Sequence, residues 1–83
     1  MAEVVIYLTS FCPFCLRAKA LFAEKGVEFT EINLTEKPKQ LAELKKKTGM
    51  RTVPQIFING ELIGGFEELA ALDETGELDK KLK

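Results

Sequence analysis

The chain holds two cysteines, Cys12 and Cys15, both within the stretch Ser10-Phe11-Cys12-Pro13-Phe14-Cys15. Before them runs Val4-Val5-Ile6-Tyr7-Leu8, which reads as a strand. After them an apolar pattern of helical period continues to Lys25. The pair therefore falls where a strand turns into a helix. A cysteine there faces unpaired backbone N–H groups and the positive end of a helix dipole, both of which favour a thiolate. Pro13 suits the first helical position, where its missing N–H costs nothing. Cys15, three residues on, returns beside Cys12 one turn later.

A pair at this spacing can be a redox dithiol, half of a metal site or a short structural bridge. A closed zinc site needs about four ligands. The chain has no His and no further Cys, so one chain cannot build a Cys/His zinc site, and no metal is expected. A bridge between neighbouring turns closes too short a loop to stabilise much. Redox use is the expectation. Cys12, nearer the helix end and more exposed, is read as the nucleophile and Cys15 as the resolving thiol.

Two other stretches can carry chemistry. In Thr52-Val53-Pro54 a proline opens a strand, which is unusual away from an edge or a turn. It is either a trans proline starting the strand or a cis turn beside the cysteines. The second would leave the Val53 backbone free to pair with an extended thiol ligand. In Gly64-Gly65-Phe66-Glu67-Glu68, glycines before a helix let a ligand approach the backbone, and helix-start amides bind a carboxylate. Glu67 or Glu68 could then pair with an amine. An ordinary helix start, with acids complementing its dipole, accounts for the same residues.

These residues need a scaffold, and 83 residues with 46% hydrophobic content can furnish one core and one domain, 1–83. With 12 basic and 13 acidic residues, bulk charge does not attract nucleic acid. The first 53 residues carry nine basic and six acidic side chains, the rest three and seven. That imbalance suits either a zwitterionic ligand or plain solvated helix faces. No basic leader and no apolar run of transmembrane length is apparent, so a cytoplasmic, membrane-free protein is expected.

Residues 3–8 read as a central strand buried on both faces. Residues 13–25 read as a helix closed by Gly26. The alternation over 27–34 predicts a half-buried strand, parallel to the first through a right-handed crossover. Thr35 is expected to cap a second helix, with Pro38 in its first turn and Gly49 beyond its end. Leu41, Leu44 and Thr48 mark its inner face. Residues 55–58 and 61–63 flank Asn59-Gly60, the strongest two-residue hairpin signal. A third helix follows over 66–74, stopped by Gly76, with a last short turn through Leu78 and Leu82. The order β-α-β-α-β-β-α predicts an α/β thioredoxin fold, a four-stranded mixed sheet flanked by helices.

Taken together, these segments resemble a small dithiol bacterial-type glutaredoxin over nearly the whole chain. The resemblance rests on Cys12-Pro13-Phe14-Cys15, on Thr52-Val53-Pro54, and on Gly64-Gly65 followed by Glu67-Glu68. It implies a cis Pro54 and a glutathione-dependent thiol–disulfide oxidoreductase serving electron transport and cell redox homeostasis. Glutathione would be co-substrate, with Phe14, Thr52, Val53, Pro54, Gly65, Phe66 and Glu67 as its binding residues. Cys12 would take glutathione from a mixed disulfide, and Cys15 would close the internal disulfide when the substrate is a protein disulfide. The partners implied are glutathione and glutathionylated or disulfide-bearing proteins, and a monomer is expected.

The chain departs from the family pattern at three positions. Phe14 stands where Tyr is common and Glu67 where Asp is usual. Thr9 stands where a lysine often supports the thiolate, which implies weaker glutathione binding, with Arg51, Lys39 or Gln40 as substitutes. Thr9 and Phe66 also suit a second reading: a redoxin that donates electrons to ribonucleotide reductase and is recharged by thioredoxin reductase. A third, an iron–sulfur carrier bridging two chains through Cys12, ranks below both, because Pro13 stiffens the turn and Cys15 offers an internal disulfide.

Overall fold

The computed structural model describes residues 2–82. In chain order the elements are β1 (Val4–Leu8), α1 (Pro13–Glu24), β2 (Thr30–Asn33), α2 (Pro38–Thr48), β3 (Gln55–Ile58), β4 (Glu61–Gly64), α3 (Phe66–Thr75) and α4 (Glu77–Leu82). The strands form one sheet in the order β2-β1-β3-β4. β1 runs parallel to β2 and antiparallel to β3, and β3 pairs antiparallel with β4. This is the expected mixed sheet. The Asn59-Gly60 hairpin is as expected too, with φ of 52° and 81°, and the left-handed conformation that both central residues of a type I′ turn need.

The core explains the layering. Val4, Ile6 and Leu8 of β1 and Ile56 and Ile58 of β3 point to one face, where they meet Ala18 and Phe22 of α1, Leu69 of α3 and Leu78 of α4. Ala18 apart, each such side chain, fully buried, contributes roughly 1.5–3 kcal/mol. The opposite face carries Val5, Tyr7 and Phe57, with Tyr7 and Phe57 edge to face at 5.6 Å. Gln55 pairs with Tyr7 across the sheet, and its side chain bonds to Thr48 of α2, so α2 covers this second face. It does so thinly, for none of its residues is fully buried. β1 is accordingly not buried equally on both sides, as its continuous apolar run suggested. It alternates between buried and half-buried positions.

Helix ends account for the other departures from expectation. α1 closes with a Schellman motif: Val27 N–H donates to Phe22 O, and Gly26 N–H to Ala23 O, with Gly26 at φ 70°. Val27 is thereby held by the helix, and β2 begins only at Thr30. Val27 and Phe29 pack against the core instead, Phe29 at 6.0 Å from Phe22. Thr35 does not cap α2, where Lys37 occupies the cap position without a side-chain bond. The Thr35 hydroxyl instead accepts the Ser10 N–H at 2.6 Å, and Asn33 Nδ2 donates to Ser10 Oγ at 3.2 Å. These bonds tie the end of β2 to the turn ahead of the cysteines. The short turn at the end of the chain is a six-residue helix, α4, anchored by Leu78 and by Lys25, which bridges Asp73 and Asp79.

Gln55 is the one polar side chain wholly removed from solvent among the described residues. Burying an amide is costly unless its groups are bonded. Here Oε1 accepts from Thr48 Oγ1 at 2.8 Å, and Nε2 donates to Met50 O at 3.3 Å and Thr52 O at 3.2 Å. The side chain thereby clamps residues 49–54 against the end of α2. We expect Gln55→Leu to lower stability by about 1–3 kcal/mol, read from urea unfolding at unchanged m. Thr48→Val should cost less, since it strips a single partner from Gln55. A neutral Gln55→Leu would show that the clamp contributes nothing.

Candidate active site

The site begins with the cap of α1. Cys12 is the N-cap residue, extended at φ −109° and ψ 108°, with Pro13 following at the first helical position. Its Sγ accepts the Cys15 N–H at 3.3 Å, satisfying one of the orphan amides of the helix start. The same sulfur lies 3.7 Å from Val53 O. As a thiol it can donate to that carbonyl. As a thiolate it can only accept, so the Cys15 amide remains its partner and the Val53 contact is released.

The two cysteines are unequal. Cys12 is partly exposed and Cys15 is buried at 2%. Burial, first, and then the hydrogen bond with the Cys12 side chain push the Cys15 thiol up to about 12. The Thr9 backbone and the charge of Lys19 pull weakly the other way. Thr9, expected to matter for want of a lysine side chain, thus acts on the pair through its main chain.

Ahead of Cys12 the chain makes a tight turn, and Phe11 takes a left-handed conformation with φ 62°. For a residue with a Cβ that costs roughly 1–2 kcal/mol. The Phe11 side chain is fully exposed, at 101%.

Beside Cys12 opens a groove of about 250 Å³, lined by Phe14, Met50, Thr52, Val53, Pro54, Gly65, Phe66, Glu67 and Glu68. The seven residues expected to bind the co-substrate all line it. The Val53–Pro54 peptide is cis, which decides between the two readings of that turn. Phe14 and Phe66 stand on the apolar side, ring centroids 6.3 Å apart, with the Arg17 guanidinium 5.4 Å from the Phe14 ring. Arg51, Lys39 and Gln40 are exposed and do not line the groove.

The glycines have structural duties. Gly64 has φ 123°, and a Cβ there would lie 2.7 Å from Glu68 Oε1. A Cβ on Gly65 would lie at 3.4 Å from Pro54 O, in ordinary contact, so the helix start lies close against the proline turn. Glu68 Oε1 accepts the Gly65 N–H at 2.9 Å, which is half of a capping box. That leaves the Phe66 and Glu67 amides at the helix start without intrahelical acceptors. It also leaves Glu67, rather than the engaged Glu68, as the acid available to an amine.

Met50 is an addition to the expected set, and Glu68, expected only as an alternative partner for an amine, lines the groove as a helix cap instead. The three-residue spacing of Glu68 from Gly65 carries a legible capping signal. Met50 has none, because nothing local indicates that Gln55 will draw its carbonyl inward.

This geometry predicts one-sided reactivity. Brief iodoacetamide treatment of the reduced protein should label Cys12 and spare Cys15 from pH 7 to about pH 10, as read by peptide mass spectrometry. Equal labelling would contradict the burial of Cys15. The same shift bears on stability. The folded state holds the Cys15 proton more tightly than the unfolded chain, whose thiol loses it near pH 9.0. The stabilisation is therefore complete below pH 9 and is lost as pH rises toward 12. The stability advantage of the reduced parent over Cys15→Ala should shrink across that window, measured by urea unfolding in reductant.

A family model described as glutaredoxin matches residues 4–63. A glutaredoxin of Pseudomonas aeruginosa is 50% identical over 82 residues, covering 99% of this chain and 98% of its own. Glutaredoxin 3 of Escherichia coli K12 is 48% identical over 83 residues, the full length of both. Among solved structures, a buckwheat glutaredoxin–glutathione complex superposes with a TM-score of 0.92 at 32% identity, covering 98% of this chain and 76% of that one. A dithiol at a helix cap beside a cis-proline groove, with likenesses that run the length of the chain, places this protein in the glutaredoxin family of thiol–disulfide oxidoreductases.

Proposed function

We propose that the protein reduces glutathione mixed disulfides and protein disulfides, with Cys12 as nucleophile, Cys15 as resolving thiol and glutathione as co-substrate. The observation that carries this reading is the position of Cys12 Sγ, 3.7 Å from Val53 O on the wall of the groove. In the first route the Cys12 thiolate attacks the glutathione sulfur of a mixed disulfide. The substrate thiolate leaves and takes a proton, and Cys12 keeps the glutathionyl group. A second glutathione thiolate then attacks that group, forming glutathione disulfide and restoring Cys12. In this seating the Val53 backbone pairs with the cysteinyl part of the ligand. The γ-glutamyl carboxylate meets the amides of Phe66 and Glu67, and the amine faces the Glu67 carboxylate. The buckwheat relative was solved as a glutathione complex, which supports glutathione as the co-substrate.

In the second route Cys12 attacks a protein disulfide, and Cys15 then displaces the bound substrate thiolate to close the Cys12–Cys15 disulfide. Two of the influences that hold Cys15 protonated come from Cys12: its hydrogen bond and its charge. Both end once the Cys12 sulfur is in a mixed disulfide. Cys15 thus becomes easier to ionise at the step that uses it. The expectations of one domain over 1–83, a monomer and a cytoplasmic setting belong to the same proposal. No helix among the described residues is long and apolar enough to cross a membrane.

Cys12→Ser should abolish turnover of a small glutathione mixed disulfide, while Cys15→Ser retains a measurable part of it. Equal loss in both variants would overturn the first route. The electron source is tested by supplying NADPH with glutathione and glutathione reductase, or with thioredoxin reductase alone. Turnover with thioredoxin reductase only would replace the glutathione reading by that of a thioredoxin-reductase-fed redoxin.

A further inference from the structure

We propose that Phe11 is a specificity-determining residue for the direct reduction of polypeptide disulfides, and that it selects substrates with an apolar residue beside the attacked cysteine. Three observations converge. The ring is fully exposed, at 101%, the most exposed large apolar side chain among the described residues. Its backbone is left-handed at φ 62°, a conformation that costs energy for a residue with a Cβ, while glycine or asparagine would tolerate it. It directly precedes Cys12, yet it does not line the groove where a small thiol would sit.

A side chain that costs solvation and backbone energy and packs against nothing in its own chain is explained by contact with something else. The covalent geometry narrows what that is. When Cys12 attacks a polypeptide disulfide, the substrate sulfur bonds to Cys12 Sγ, and the residues flanking that cysteine must lie within a few ångströms of the neighbouring side chains. One flank can follow the groove along Val53. A continuous chain also has a second flank, which runs out of the groove past Cys12. Phe11 adjoins Cys12 and lies outside the groove lining, which leaves it to this outer flank, and Leu16, 61% exposed, lies one helical turn beyond Cys12 on α1. A flanking Leu, Ile or Phe covers this surface, whereas a seryl or charged flank leaves it wet.

The reaction balances within the two proteins. The Cys12 thiolate displaces one substrate sulfur as a thiolate, which takes a proton. Cys15 then loses its proton and attacks Cys12, releasing the second substrate thiol. The substrate disulfide is reduced to two thiols, and the Cys12–Cys15 pair is oxidised.

The inference rests on Cys12 being the nucleophile and not on glutathione. The test is single-turnover reduction by the reduced full-length protein, followed by acid quench, alkylation and mass spectrometry. The substrates are two disulfide-linked dimers of one pentapeptide, with either Leu or Ser on both sides of its central cysteine. Hydroxyethyl disulfide serves as the small reference. The parent should reduce the Leu peptide about fivefold faster than the Ser peptide, the worth of burying a few tens of square ångströms of apolar surface. Phe11→Asn, which keeps the left-handed backbone, should lose that preference and retain the parent rate on hydroxyethyl disulfide. Phe11→Tyr should keep the preference. A parent without preference, or a Phe11→Asn variant that retains it, overturns the proposal. A Cys12→Ser variant that still reduces the peptides overturns it by removing its premise. If the parent shows the preference but no glutathione-driven turnover, the proposal stands and the glutathione reading alone falls.

Discussion

The site depends on one strand pairing. Tyr7 lies opposite Gln55 in the antiparallel register of β1 and β3. Five residues after Tyr7 comes Cys12, and two residues before Gln55 comes Val53, so the end of one strand and the start of the other deliver sulfur and carbonyl to the same point. A slip of one residue would turn Ile56 and Ile58 out of the core and Gln55 into it. Burial of the alternate apolar side chains therefore holds the register and, with it, the mouth of the groove. The parallel partner on the other side contributes likewise. Asn33 and Thr35, at the end of β2, hold Ser10 in the turn that aims Cys12.

The chemistry is divided by depth more than by residue type. Both thiols belong to one helical turn, yet one caps the helix at the surface and the other is enclosed by it. A single helix start thus presents one sulfur to partners while the helix packing keeps the other protonated. The amide that caps Cys12 is that of Cys15 itself, so the two are joined through main chain as well as side chain. This economy lets a site with no lysine at position 9 and no histidine anywhere rely on backbone donors.

Much of this was legible in the sequence because it is written in local rules. The hairpin follows from Asn59-Gly60 and the helix ends from Gly26, Gly49 and Gly76. The reactive position of Cys12 follows from a strand, a turn and Pro13. The co-substrate residues came from a family likeness and not from periodicity. What was illegible depends on distant partners. The cis form of Pro54 could not be chosen from Thr52-Val53-Pro54 alone. Thr35 looked like a helix cap because the competing demand of Ser10, 25 residues away, is invisible locally. Gln55 looked like an ordinary strand opener, and its burial emerges only when α2 returns over the sheet. The truncation of β2 is different in kind: it follows from the local cap at Gly26, which takes the Val27 amide before the strand can use it, so the strand pattern and the helix-end signal compete for the same residue.

α2 lies on the sheet without fully burying any side chain, and its firm attachment to the neighbouring strand is the bond from Thr48 to Gln55. An element held in this way is cheap to rewrite. Its outward residues, Lys39, Glu43, Lys46 and Lys47 among them, can be exchanged with little cost to the core, as long as the terminal threonine keeps its grip on the glutamine beneath the groove. The fold therefore separates a surface tolerant of substitution from the dithiol site, and the side-chain link between them is the Thr48 hydroxyl.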